Sequence, residues 1–435
     1  MSGLMIAAPH SGAGKTSVTL GLLRALRRRG MAVGSAKAGP DYIDPAFHAA
    51  ASGAPCVNLD PWAMRPMLVT DLASGARDRD GLVVEAMMGL FDGAADGSGS
   101  AADLAAGLRL NVVLVVDCAR QSHSVAALVR GFAGHRADVT IAGVILNRVG
   151  SPRHEALLRE ALVPLAIPVF GVLPRQADLA LTERHLGLVQ AGEHADLETF
   201  LDRAAAWIEA GCDVAALAAL AGGRAAERPA RDSAVAATPL APLGRRMAIA
   251  RDAAFAFIYP HLLDGWHRAG AELTFFSPLD DETPDAGADA IWLPGGYPEL
   301  HAGQIAAAGR FGAAMRSAAA RGVAIYGECG GYMVLGEALT DADGTTHPML
   351  GLLPLRTSFR ERRLHLGYRR LAPCGPGPWT GSLRAHEFHY TAIVSEGPGA
   401  ALFTAADARG EDLGGFGLRR GNVFGSFLHL IDGEA

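Results

Sequence analysis

The stretch LMIAAPHSGAGKTSV, residues 4–18, joins a short apolar run to a glycine-rich turn and the start of a helical pattern. Short apolar runs bounded by turn residues are typical of strands in a buried parallel sheet. The segment GAGKT, residues 12–16, therefore occupies a strand-to-helix turn. Backbone N–H groups and the positive end of the helix dipole make such a turn an anion site. The stretch predicts an α/β domain that binds nucleotide phosphates.

Each polar or flexible position of this loop has an expected role. Gly12 and Gly14 are expected to let the backbone approach the phosphates of ATP. Lys15 is expected to reach the outer phosphates, and the hydroxyl of Thr16 is expected to bind Mg²⁺. The loop departs from the standard motif at Pro9, where that motif has glycine.

Composition and charge restrict the classes of protein to which the chain can belong. Its 435 residues suffice for two or three domains, and 50% of them are hydrophobic, which allows large buried cores. The net charge of -6 and the lack of a long basic run argue against nucleic acid as the main partner. No apolar run reaches the length of about 18 residues that a membrane span requires.

The five cysteines are scattered along the chain. None belongs to a CxxC pair or a Cys/His cluster, which argues against a structural zinc site. An odd, scattered set also argues against a disulfide framework, so a reducing cytoplasm is the predicted location.

Two α/β patterns are separated by a shift in composition. The first pattern predicts parallel strands at residues 4–8, 31–37, 81–86, 111–117 and 139–147. The second predicts strands at residues 246–251, 271–278, 288–296 and 323–331. The intervening segment, rich in Ala, Pro, Gly and Arg, has no apolar periodicity. We therefore predict a domain over residues 1–220, a linker over 221–245 and a second domain over 246–435.

Acidic residues follow two predicted strands of the first domain. KAGPDYIDPAFH occupies residues 37–48, and VEAMMGLFDG occupies residues 84–93. Because ligand sites form at strand ends in α/β sheets, Asp41, Glu85 and Asp92 are expected near the phosphate loop, where a carboxylate can hold Mg²⁺. The alternative, that Asp41 and Asp92 only form turns, stays open at this point.

The second domain contains a pattern typical of a nucleophile. YGECGGY, residues 326–332, places Cys329 in a G-x-C-x-G turn directly after a predicted strand. Such a turn exposes the thiol at a helix N-terminus, which favours the thiolate. Backbone N–H groups near Gly295 and Gly296 are expected to stabilise an oxyanion. His429 is expected to accept the thiol proton, as the histidine of class I glutamine amidotransferases does.

One position departs from the pattern of those amidotransferases. They usually have glutamate two residues after the histidine, where this chain has Ile431. What orients His429 is left open at this point. The block RAHEFHYT, residues 384–391, lacks the H-E-x-x-H spacing of a zinc protease, and a structural or domain-interface role is expected for it.

Taken together, these blocks resemble the cobyrinic acid a,c-diamide synthase family. The resemblance rests on GPDYID (residues 39–44), VEAMMGLFDG and RAHEFHYT, and covers both predicted domains. It implies an α/β fold with an N-terminal P-loop parallel-sheet domain similar to dethiobiotin synthetase, followed by a class I glutamine amidotransferase-like domain. The corrinoid amide synthases also lack this glutamate, so Ile431 fits the resemblance to that family better than to class I glutamine amidotransferases in general.

The resemblance also implies roles for individual residues of the first domain. Lys37 matches a lysine near the transferred phosphate, and Asn147 is expected to contact the adenine or else to end its strand. Asp117 is expected either to join the magnesium shell or to end its own strand. The remaining matches assign the corrinoid substrate to Tyr42, Ile43 and Asp92, and magnesium to Thr16, Glu85 and Asp41.

The implied reaction uses glutamine and ATP to amidate the a and c acetate carboxylates of a corrin-ring precursor, with or without cobalt. The expected partners are these small molecules, without nucleic acid or membrane, and a homodimer is kept open. Alternatives within the class are a cobyric acid synthase and a nickel-tetrapyrrole homologue. Other classes are a P-loop regulatory ATPase with a degenerate amidotransferase tail and a glutaminase binding module. His10 disfavours the regulatory ATPase, because dimerising ATPases have a signature lysine there.

Overall fold

The computed structural model describes residues 3–77, 79–176, 179, 183–184, 187–188, 190–194, 196–222 and 240–434. The chain splits into two compact units: Met1–Trp62 with Pro66–Ala237, and Ala63–Arg65 with Thr238–Ala435. Most of the linker predicted over residues 221–245 lies outside the described residues. Within the described ranges, no helix has the length and apolar character needed to cross a membrane.

The first unit is built on a parallel seven-stranded sheet. Its order is β3-β2-β4-β1-β5-β6-β7, and every neighbouring pair is parallel. The strands are β1 Leu4–Ala7, β2 Val33–Ala38, β3 Cys56–Leu59, β4 Gly81–Glu85, β5 Asn111–Asp117, β6 Thr140–Val149 and β7 Val169–Pro174. A small hairpin, β8 Glu183–Arg184 with β9 Gly187–Leu188, follows. Strands β1, β2 and β4 are buried along their whole length, including the polar residues Ser35 and Lys37 of β2 and Glu85 at the end of β4.

Eight helices accompany the strands in the described part of this unit. They are α1 Lys15–Arg28, α2 Asp44–Ser52, α3 Pro66–Arg77, α4 Ala101–Leu108, α5 Val125–Gly134, α6 Pro152–Leu162, α7 Leu197–Gly211 and α8 Val214–Ala221. Helix α1 begins directly after Gly14, which adopts a left-handed conformation with φ 97°. The first turn of α1 contains no acidic residue, so nothing on the helix itself neutralises its positive dipole end.

The second unit contains a mixed ten-stranded sheet. Its order is β11-β10-β12-β13-β22-β21-β20-β17-β18-β23, parallel from β11 to β22 and antiparallel beyond. The strands are β10 Arg246–Ala250, β11 Glu272–Phe276, β12 Ala290–Leu293, β13 Ala324–Glu328, β17 His365–Pro373, β18 Leu383–His389, β20 Ala400–Ala406, β21 Asp412–Arg420, β22 Val423–Ser426 and β23 Leu428–Gly433. The four strands predicted in this half of the chain are β10, β11, β12 and β13; the fifth strand of the parallel part, β22, was not predicted.

A small sheet and four helices complete the described part of the second unit. The small sheet is β14 Ala338–Thr340, β15 Thr346–Pro348, β16 Leu355–Ser358 and β19 Ala392–Glu396. The helices are α9 Pro260–Arg268, α10 Ala302–Ala307, α11 Gly309–Ala320 and α12 Gly330–Leu335. The antiparallel strands were not predicted, because several of them, such as β19 and β21, are largely exposed and lack a long apolar run.

Candidate active sites

The first site lies at the carboxyl edge of the seven-stranded sheet. Strand β1 leads into the phosphate loop between β4, which ends at Glu85, and β5, which ends at Asp117. The chain winds away from β1 in opposite directions on its two sides, and parallel sheets bind ligands at such a reversal point. The parallel strands thus bring together side chains that are far apart in sequence.

Asn147 fixes the conformation of the phosphate loop. Its Nδ2 donates to the carbonyl oxygen of Ala13 at 2.9 Å, and its Oδ1 accepts from the Arg148 N–H at 2.8 Å. A Cβ atom on Gly14 would lie 2.3 Å from Asn147 Nδ2, so the close approach and the positive φ both require glycine. Part of the amide of Asn147 is therefore engaged with the loop; a contact with adenine stays a prediction.

Lys15 contacts backbone oxygens around the loop. Its Nζ donates to the carbonyl oxygen of Met88 at 2.6 Å and to that of His10 at 3.3 Å. Burial, together with the positive charge of Lys37, lowers the pKa of Lys15 to about 8. A bound phosphate would supply the negative charge that this buried ammonium lacks.

A buried network of charged groups lies beside the loop. Lys37 Nζ donates to Asp44 Oδ2 at 2.6 Å and to Glu85 Oε1 at 2.8 Å. Thr16 Oγ1 donates to the same Glu85 oxygen at 2.7 Å, and Glu85 Oε2 lies 2.7 Å from His48 Nε2. Glu85 and His48 are both fully buried. The structure thus joins three of the predicted residues, Thr16, Lys37 and Glu85, through one carboxylate.

The network shifts the ionisation of its members in opposite directions. Burial opposes ionisation of Glu85, but Lys37 and His48 outweigh it and hold its pKa well below the ordinary value. Burial and the negative charge of Asp41 raise the pKa of Asp44 to about 7, against the pull of Lys37. Glu85 is therefore the ionised carboxylate and Asp44 the weaker acid of the pair.

Other predicted residues of this site are held by local contacts. Asp41 Oδ1 accepts the backbone N–H groups of Ile43 and Asp44 at 2.8 and 3.0 Å. Asp92 Oδ2 accepts the Gly89 N–H at 2.9 Å, and its charge favours the protonated form of Lys15. These contacts fit the alternative that Asp41 and Asp92 form turns. Magnesium binding by Asp41 stays a prediction. Substrate contacts of Asp92, Tyr42 and Ile43 also stay predictions.

Asp117 and His48 give two further results. Asp117 Oδ2 lies 2.5 Å from Nη1 of Arg148 on the neighbouring strand β6, which fits the alternative that Asp117 ends its strand. His48 was not predicted, although it belongs to the quoted segment 37–48. The available signal was a histidine a few residues after the two aspartates of that segment; in the structure it lies on helix α2. The structure adds Cys56, whose Sγ lies 3.5 Å from His48 Nδ1.

Cys329 lies in a strained turn of the second unit. It follows β13 and precedes α12, with φ 49° and ψ -100°, a conformation that costs free energy for any residue other than glycine. The adjacent glycines allow this turn, because a Cβ on Gly331 would lie 1.9 Å from the Leu293 carbonyl oxygen. The geometry is that of a nucleophile elbow.

His429 and Glu328 lie beside this cysteine. A side-chain hydrogen bond joins His429 to Cys329, and His429 Nδ1 lies 3.3 Å from Glu328 Oε1. Burial disfavours the imidazolium, but Cys329 and Glu328 outweigh it and raise the pKa of His429 to about 10. Glu328 was not predicted, although it directly precedes the cysteine in YGECGGY.

Gly295 and Gly296 approach the nucleophile closely. A Cβ on Gly295 would lie 2.5 Å from His429 Cε1 and 3.3 Å from Cys329 Cβ, so only glycine fits beside the pair. A Cβ on Gly330 would lie 3.1 Å from the Gly296 amide nitrogen. Gly295 and Gly296 therefore lie beside Cys329 and the residue that follows it, Gly330. Stabilisation of an oxyanion by their backbone N–H groups stays a prediction.

The HEFH block forms a network of its own on β18. Arg369 donates to Glu387 Oε2 from Nε at 2.9 Å and from Nη2 at 2.6 Å. Glu387 Oε1 lies 3.2 Å from His389 Nε2, and His365 stacks on His389 with ring centroids 4.5 Å apart. Because Arg369 neutralises the carboxylate, these contacts fit the expected structural role.

The two sites define a class of protein, a glutamine-dependent, amide-forming ligase with a nucleotide-binding domain. Residues 4–189 match the model of the CobQ/CobB/MinD/ParA nucleotide binding domain, and residues 246–434 match the model of the CobB/CobQ-like glutamine amidotransferase domain. The chain belongs to the hydrogenobyrinate a,c-diamide synthase family.

The relatives of that name match along their whole length. The chain is 64% identical to the proteins of this name from Brucella anthropi, Sinorhizobium sp and Rhizobium meliloti. Each match covers 99% of this chain and 99% of the relative. These matches confirm the predicted class and disfavour a regulatory ATPase or a glutaminase binding module.

Proposed function

We propose that this enzyme converts the a and c acetate carboxylates of hydrogenobyrinic acid to amides, with glutamine as the nitrogen source and ATP as the driving nucleotide. The observation that carries the proposal is the full-length identity of 64% to hydrogenobyrinate a,c-diamide synthases. It favours the metal-free ring over the cobalt-containing ring, a choice that the residues alone left open.

The glutaminase step follows from the second unit. The Cys329 thiol gives its proton to His429, and the sulfur attacks the amide carbon of glutamine. Backbone N–H groups at Gly295 and Gly296 stabilise the resulting oxyanion. His429 returns the proton to the leaving ammonia, and a thioester forms. Water then hydrolyses the thioester to glutamate and restores the thiol.

The synthetase step follows from the first unit. A carboxylate is a poor acyl donor, so ATP transfers its terminal phosphoryl group to a carboxylate oxygen and leaves ADP. Ammonia attacks the acyl phosphate carbon, and phosphate departs to leave the amide. Lys15 and Lys37 neutralise the charge on the transferred phosphoryl group. The substrate contacts of Tyr42, Ile43 and Asp92 belong to this step.

The residues beside the loop fit a magnesium ion. Thr16 Oγ1 and Glu85 Oε1 lie 2.7 Å apart, and hydroxyl and carboxylate oxygens are the donors that this cation prefers. Thr16 and Glu85 would hold the ion, with Asp41 as a further donor. When bound, Mg²⁺ neutralises charge on the nucleotide phosphates.

The five cysteines are free thiols, which supports a reducing compartment and hence the cytoplasm. Assembly as a homodimer stays a prediction.

Mass spectrometry tests the proposed reaction. Hydrogenobyrinic acid and cobyrinic acid are each incubated with the protein, MgATP and glutamine, with a control that lacks ATP. Each amidation replaces OH with NH₂ and lowers the mass by a single unit. Two conversions of hydrogenobyrinic acid are expected. No conversion of either ring, with ATP hydrolysis intact, would contradict the proposal and favour amidation of other corrin side chains.

A further inference from the structure

Class I glutamine amidotransferases usually complete a Cys-His-Glu triad with a glutamate two residues after the histidine. In this chain that position is the apolar residue Ile431. Ile431 is 1% exposed, and its carbonyl oxygen lies 2.9 Å from His261 Nε2. An isoleucine side chain cannot accept a hydrogen bond from the imidazole of His429. A catalytic imidazole without such an acceptor is free to adopt the wrong tautomer or orientation, so another group must act.

We propose that Glu328, the residue before the nucleophile, is the positioning residue that replaces the missing triad glutamate. This inference rests on the proposed glutaminase step. Glu328 ends strand β13 and is 1% exposed, and its Oε1 lies 3.3 Å from His429 Nδ1. With Nδ1 on the carboxylate, Nε2 is the ring nitrogen left for the Cys329 thiol.

A second contact fixes the carboxylate itself. Glu328 Oε2 accepts the backbone N–H of Leu430 at 3.1 Å, so the two oxygens hold the ring of His429 and the next residue of strand β23. The Tyr326 hydroxyl lies 3.5 Å from the same Oε2. The carboxylate is therefore anchored by groups that do not take part in the proton transfer.

The charges around His429 favour its protonated form during the reaction. Burial opposes the imidazolium of His429, but its interactions with Cys329 and then with Glu328 outweigh burial and raise its pKa. His386 lies opposite on β18, and burial followed by the charge of His429 lowers its pKa to about 3, so it is neutral. Burial keeps the Tyr326 phenol protonated as well, because its pKa lies well above the ordinary value.

Two substitutions separate positioning from a structural role. Glu328→Gln keeps an oxygen that can accept the Leu430 N–H but removes the charge, whereas Glu328→Ala removes both. Glu396→Gln is the matched control. The Glu396 carboxylate accepts a hydrogen bond at 2.7 Å from the hydroxyl of Tyr332, which lies on helix α12 after the nucleophile, so the same substitution is made at a glutamate that does not contact His429. A merely structural Glu328 would tolerate glutamine and fail with alanine.

The experiment measures two properties that need no corrinoid, with amide synthesis on the corrinoid from glutamine and from ammonia as a third readout. The first is the pH profile of Cys329 alkylation by iodoacetamide, resolved by peptide mass spectrometry. The second is kcat and KM for glutamine hydrolysis. For Glu328→Gln, we expect the alkylation profile to move to higher pH and kcat to fall about 10²-fold, in line with the loss of an oriented base. KM, synthesis from ammonia and the profile of Glu396→Gln should be unchanged.

Each other outcome overturns the inference. An unchanged profile and kcat in Glu328→Gln would show that the charge does not act on His429. Equal loss of glutamine- and ammonia-dependent synthesis would show a structural role. A native enzyme in which Cys329 is not alkylated and glutamine is not hydrolysed would instead contradict the proposed glutaminase step itself.

Discussion

At the scale of single residues, Lys37 holds two buried carboxylates of the first unit together. Burial alone would lower its pKa, but Asp44 and Glu85 outweigh burial and raise the pKa above the ordinary range. The hydrogen bonds described for Lys15 go to backbone carbonyl oxygens and not to a carboxylate, and its pKa is lowered instead. Two lysines of one site thus have opposite electrostatic environments.

Removal of each lysine should therefore have a different effect on stability. Lys37→Met leaves Asp44 buried without its cation and Glu85 with His48 alone, and should lower the free energy of unfolding by about 3–5 kcal/mol. Lys15→Met removes a charge that burial already disfavours and should cost little. Urea unfolding of the two variants measures the difference. Equal midpoints would contradict the assignment of Lys37 as the partner of both carboxylates.

Nucleotide affinity should fall at alkaline pH. The pKa of Lys15 is lowered to about 8, and a bound phosphate favours its charged form. Above that pH the lysine must take up a proton on binding, so affinity should fall by up to about tenfold per pH unit. Isothermal titration calorimetry one unit below and one unit above this pKa measures the change. Lys15→Arg, which stays charged, should bind with less pH dependence; an equal dependence would contradict the prediction.

At the scale of elements, helix α1 packs closely against helix α7 in the first unit. A Cβ on Gly21 would lie 2.6 Å from both the Ala204 carbonyl oxygen and Ile208 Cγ1. A small residue at this position lets the backbones approach. Helix α1, which begins at Lys15 directly after the phosphate loop, is therefore held against α7 at Gly21.

Gly21→Ala should thus be destabilising despite the higher helix propensity of alanine. Overpacking of this kind costs about 1–3 kcal/mol. Gly107→Ala in helix α4 is the matched control, since a Cβ there meets nothing within 4 Å, and it should stabilise by about 0.4–1 kcal/mol. Thermal unfolding compares the two. A stabilising Gly21→Ala would mean that the two helices are not in tight contact.

At the scale of the whole molecule, the proposed reaction assigns glutamine hydrolysis to the second unit and carboxylate activation to the first. Cys329→Ala should lose synthesis from glutamine but retain synthesis from free ammonia, because ATP-dependent activation needs no thiol. Lys15→Ala should lose synthesis from either nitrogen source. Product formation with glutamine and with an ammonium salt, measured for both variants, tests this division. Equal loss of both activities in Cys329→Ala would contradict it.

Short patterns of consecutive residues were sufficient to predict the phosphate loop and the nucleophile turn. Both consist of consecutive residues whose backbone conformation and spacing carry the chemistry, as in GAGKT and YGECGGY. Most of the parallel strands were predictable for a similar reason, since they are short buried runs rich in apolar residues, but the parallel strands β3, β7 and β22 were not predicted. The antiparallel strands of the second unit were missed, because half-exposed strands have weaker patterns.

Only the tertiary structure shows which side chains the site residues contact. Glu328 and His429 are 101 positions apart, and strand pairing brings them to 3.3 Å. Glu85 contacts Lys37 across 48 positions in the same way. Sequence patterns identify which side chains can ionise or accept a proton. The pairing of distant strands determines which of them share a buried environment, and that burial and proximity set their charge states.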